Sequence, residues 1–101
     1  MDLERIKILC ISLEDYLKKY GDDSIVPSYR IVKSTIEIIS SDEETKIKQQ
    51  EVIQNYKMLF SGKGGLSEFY IWDNDFETRK KLNEPLDKIH EELWSIMKNY
   101  I

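Results

Sequence analysis

Leu3, Ile6, Cys10, Leu13, Leu17 and Tyr20 recur at alternating spacings of three and four residues. A period of 3.6 brings such positions onto one side of an α-helix, and that side needs an apolar cover. The pattern returns three times. Tyr29, Val32, Ile36 and Ile39 make a second stripe, and Ile47, Ile53, Tyr56 and Phe60 or Leu59 a third. Leu86, Ile89, Leu93, Ile96 and Tyr100 make a fourth, with Trp94 and Met97 beside it. No such helix can bury its stripe alone. The expected fold is therefore mainly α, a compact four-helix-type bundle. Ile8, Leu9, Ile11 and Tyr16 widen the first stripe, which predicts more than one neighbour for that helix.

Punctuation between the stripes sets expected boundaries. Gly21 is read as a left-handed stop to the first helix, followed by the turn "GDDS". Pro27 suits the first turn of the second. Ser41 and Glu44 have the spacing of a capping box for the third, with Asp42, Glu43 and Glu44 favoured at its positive end. Asn83 is read as the cap of the last helix, with Pro85 in its first turn. Residues 66–80 fit no stripe and are expected to be irregular or to hold a short β segment, with Gly64–Gly65 reversing the chain. A chain of 101 residues with no repeat or long linker reads as a single helical domain, 1–101.

Composition narrows the chemistry. Hydrophobic residues make up 41% and charged residues 34%, enough for one core. The net charge of −4 argues against direct binding of nucleic acid and for a basic partner. Cys10 is alone, which excludes an intrachain disulfide, and its apolar neighbours point to a buried structural thiol. His90 is the single histidine, so no two-histidine metal site can form within one chain. No apolar run approaches the ~20 residues of a membrane span, and the N-terminus is unlike a signal peptide. The protein is expected in the cytoplasm.

"SGKGGLSEFYIWDND" concentrates glycines, aromatics and acids. Lys63 precedes Gly64–Gly65, the reverse of the order a phosphate loop requires. Asp73, Asp75, Glu77 and Glu84 have calcium-loop spacing, but Thr78 stands where that loop needs glycine. No Gly-x-Ser-x-Gly occurs, and His90 has no partner that the sequence locates. The expectation is a non-enzyme with no cofactor, no metal and no catalytic residue. Two windows carry acids without bases: Glu37, Asp42, Glu43 and Glu44, then Glu68, Asp73, Asp75 and Glu77. They form one patch if they meet in space. An aromatic anchor inside a charged rim is a common energetic centre of protein interfaces. The candidate partner-binding residues are accordingly Trp72, Asp73, Asp75 and Glu77, with Asp42, Glu43 and Glu44 as a second patch.

"YGDDS", "LFSGKGGLSEFYIW" and "NEPLDKIHEELWSIM" together resemble small helical bacterial proteins encoded beside polymorphic toxins, some of them immunity proteins of contact-dependent growth inhibition systems. Gly64, Gly65, Leu66, Ser67, Glu68, Phe69, Asn83, Leu86 and Leu93 carry the resemblance. Several members have Asp or Asn where this chain has Glu68. The resemblance implies an immunity protein that binds a cognate toxin 1:1. With no membrane span, the implied target is a toxin domain acting in the cytosol. The acidic balance suits the basic surface of a nuclease-type toxin, blocked at its active site or substrate cleft. A helical adaptor or self-associating module, including a homodimer, is the alternative.

Overall fold

The computed structural model describes residues 1–60, 66 and 69–101. Among these, four α-helices dominate: α1 (Leu3–Tyr20), α2 (Val26–Ser40), α3 (Thr45–Phe60) and α4 (Phe76–Met97). A 3₁₀ turn, Asp23–Ile25, leads into α2. α1 packs on α2 and α4, and α3 packs on α2. Leu13, Val32, Val52, Leu66, Leu86 and Met97 lie at the centre of one shared core.

α1 follows its stripe, burying Ile6, Cys10, Leu13 and Leu17, and Leu9 joins them. Ile8 and Ile11 do not, and stay 51% and 42% exposed. They lie on the side of α1 that faces neither neighbour. Asp2 caps the helix by accepting from the Arg5 amide at 3.0 Å. Gly21 ends it in extended backbone, φ −78°, and not in the left-handed conformation expected. Its reason is close approach. A Cβ there would stand 2.5 Å from both Leu17 O and Ile25 Cγ2. Pro27 sits in the first turn of α2, as its fixed φ and missing donor favour.

Two polar pairs were not legible in the stripes. Asn55 Nδ2 donates to Thr35 Oγ1 at 3.0 Å, and Thr35 Oγ1 donates to Ile31 O at 2.9 Å, which ties α3 to α2 within buried surroundings. Ile47 is exposed, and the buried face of α3 is Val52, Asn55 and Leu59. Ser41 does not form the capping box. Its hydroxyl turns back to donate to Ile38 O at 2.7 Å and accepts from the Glu43 amide, so it finishes α2.

The largest departure is at α4, which begins at Phe76. Asp75 is the cap: its Oδ2 accepts from the Thr78 amide at 3.0 Å and the Thr78 hydroxyl at 2.7 Å. Asn83 and Pro85 therefore lie inside the helix. Pro85 has no amide to offer Lys81 O. Asn83 points into the protein. Its Oδ1 accepts from the Ile71 amide at 2.9 Å, and its Nδ2 donates to Ile71 O at 2.9 Å and Arg79 O at 2.8 Å. Among the described residues of 66–80 there is no strand, and residues 69–73 have no regular secondary structure. A side chain supplies Ile71 with the bonds that a neighbouring strand would have supplied. The Gly64–Gly65 reversal lies outside the described residues.

Candidate docking surface

The Asn83 clamp buries Ile71 and fixes the backbone on which Trp72 is carried. Trp72 itself is 70% exposed, Phe76 62% and Tyr70 56%. The Arg79 guanidinium carbon lies 4.5 Å from the Trp72 ring centroid and 5.3 Å from that of Phe76. Such cation–π contacts hold planar groups in place without hiding them from solvent. Arg79 Nη1 also reaches Asp73 O at 3.5 Å, and Trp72 Nε1 donates to Asn74 Oδ1 at 3.4 Å. Among the described residues, Arg79 makes no ion pair within 4.0 Å. Trp72, Phe76 and Arg79 thus form a preorganised, solvent-facing platform at the start of α4.

The acids near this platform are unequal. Asp73 Oδ1 accepts from the Asp75 amide at 2.9 Å, so it shapes the turn. Asp75 caps α4, and the Thr78 hydroxyl and amide, then the Arg79 charge, hold its carboxyl below the usual range. Glu77 is exposed in the first turn of α4, and its carboxylate accepts no bond from a described residue. Asp42, Glu43 and Glu44 are exposed between α2 and α3, and their carboxylates likewise accept none.

Helix directions separate the two acidic groups. Tyr29 reaches Glu14, which sets the start of α2 beside the later half of α1. Arg5 grips Glu92 through Nε at 2.7 Å and Nη2 at 2.6 Å, setting the later half of α4 beside the start of α1. The Tyr16 hydroxyl, pushed up chiefly by burial and then by Tyr20, also feels Asp87, earlier in α4. α1 is therefore antiparallel to both neighbours. Asp42–Glu44 lies at the end where α1 begins, and Asp73, Asp75 and Glu77 lie toward the end where α1 finishes. They are two surfaces and not one patch.

The remaining candidate chemistry is sparse. Cys10 is buried, and desolvation pushes its thiol up to about 12. His90 stands edge-on to Phe60 with ring centroids 5.2 Å apart, and its Nε2 is buried with no hydrogen-bond partner among the described residues. Burial lowers its pKa, against the opposing charge of Asp87. Among the described residues no group of three or more His, Cys, Asp or Glu side chains could hold a metal ion. None of the described helices is long and apolar enough to cross a membrane. Phe76 and Arg79 escaped the sequence reading because α4 was expected to start at Asn83. With the start at Phe76, the i,i+3 spacing of the pair is visible. In comparisons with family models, curated proteins and solved structures, the chain matches none.

Proposed function

We propose that the protein works by docking another protein, as an immunity protein that neutralises a cognate, cytosol-acting toxin domain of nuclease type. The observation that carries the docking reading is the exposed platform of Trp72, Phe76 and Arg79 on a backbone clamped by Asn83. Large aromatics and arginine dominate binding energy at interfaces, and a platform ordered before binding avoids the entropy of ordering it. The exposed Asp42, Glu43 and Glu44 at the other end would steer a basic surface toward the protein. The choice of toxin rests on the sequence resemblance. Inhibition would be steric and electrostatic, through occupation of the basic surface that holds substrate, in a 1:1 complex.

The test is affinity capture of the tagged protein at low and high salt, followed by titration of the captured partner. A basic toxin domain held 1:1, with affinity reduced ~30-fold or more by Trp72→Ala, is the expected result. Reversing Asp42, Glu43 and Glu44 to lysine should slow association without unfolding the protein, because these carboxylates accept no bond from a described residue. An affinity indifferent to Trp72→Ala would remove the platform from the interface. A self-associating helical module is the second reading, and the exposed Ile8 and Ile11 of α1 favour it.

A further inference from the structure

The outer side of α1 has its own order. Glu4, Ile8, Ile11, Asp15 and Lys18 follow one another at spacings of four, three, four and three, the seam spacing of a coiled coil. All five are exposed. α2 and α4 flank this seam without covering it, since Glu14 faces Tyr29 of α2 and Arg5 faces Glu92 of α4. Among the described residues, Glu4, Lys7 and Asp15 have no ion-pair partner, and Lys18 has only the long 3.4 Å contact with Glu14.

We propose that this face is the contact between two copies of the chain, with the two α1 helices antiparallel about a two-fold axis at Ile11. Charge selects that arrangement. Around such an axis Ile11 meets Ile11 of the other copy, Lys7 meets Asp15, and Glu4 meets Lys18. A parallel pairing would set each of those charges against itself, which is unfavourable. Ile8 lies level with Glu14 of the other copy, in the gap bounded by its Ile11, Glu14, Asp15 and Lys18, where Ile11 and the methylene stem of Lys18 supply apolar cover. The contact is self-complementary, as a two-fold interface must be. Two isoleucines per copy make a small apolar centre, so the dimer is a weak one that forms at high protein concentration. The Trp72 platform lies outside this contact, so the pairing stands or falls independently of toxin binding.

Sedimentation equilibrium tests it on the full chain, from about 10 μM to about 1 mM. The weight-average mass should rise from 12.0 kDa toward twice that value. Ile11→Lys should keep the protein monomeric, with helix content by circular dichroism unchanged because the side chain is exposed. Lys7→Glu should weaken the dimer about tenfold or more, and Lys7→Glu with Asp15→Lys should restore it. A monomer throughout the range overturns the proposal. So does a dimer that Ile11→Lys leaves intact, which would place the contact elsewhere. A dimer weakened by Lys7→Glu and not restored by the double change overturns the antiparallel register.

Discussion

Asn83 shows how one polar side chain can substitute for a missing strand. Ile71 is buried, and both its amide and its carbonyl are bound by the Asn83 carboxamide. Asn83→Ala would leave both groups buried and unpaired. The expected loss is about 3 kcal/mol, read from the urea midpoint of unfolding. His90 sets a second residue-level expectation. Its folded pKa lies below the ordinary 6.5 because burial disfavours the charged ring. As pH falls, the unfolded chain takes up that proton first, so it binds more protons than the native state across this window. Stability is therefore lost as pH drops below about 6.5 and levels off beneath the folded pKa. In His90→Phe, urea midpoints measured between pH 7.5 and 5.5 should lose that part of the slope.

At the scale of elements, sequence and structure agree where apolar spacing alone decides. α1 and α2 were legible because their stripes are long and their flanking turns distinct. The phase of α3 was not, because Thr35 and Asn55 satisfy each other across the interface while looking, in sequence, like solvent-facing residues. The start of α4 was misread for a related reason. Asn83 and Pro85 are strong N-terminal signals on local grounds, but Asp75 and Thr78 provide the cap, and Asn83 is used from the helix interior. Of the candidate residues, Trp72 is exposed, while Asp73 and Asp75 are engaged in the turn and the cap, bonds that spacing alone did not make legible. Pro85 remains a defect in the helix it lies in. Pro85→Ala restores the amide and its bond to Lys81 O. It should raise stability by about 1–2 kcal/mol, after allowance for the freer unfolded chain, visible as a higher Tm.

For the whole molecule, the arrangement sets different surfaces at different ends and sides. The core is shared by all four helices. The platform rises at the start of α4, the exposed acids stand at the far end, and the seam of α1 runs along a side between α2 and α4. The clamp on Ile71 carries a consequence for how such a molecule can change over generations. Asn83 grips main-chain atoms and does not read the side chains on either side of Ile71. Residues 70, 72 and 76 can therefore be exchanged while the backbone beneath them keeps its shape. If the protein docks a partner as proposed, a lineage built this way could trade one binding specificity for another without reinventing the fold.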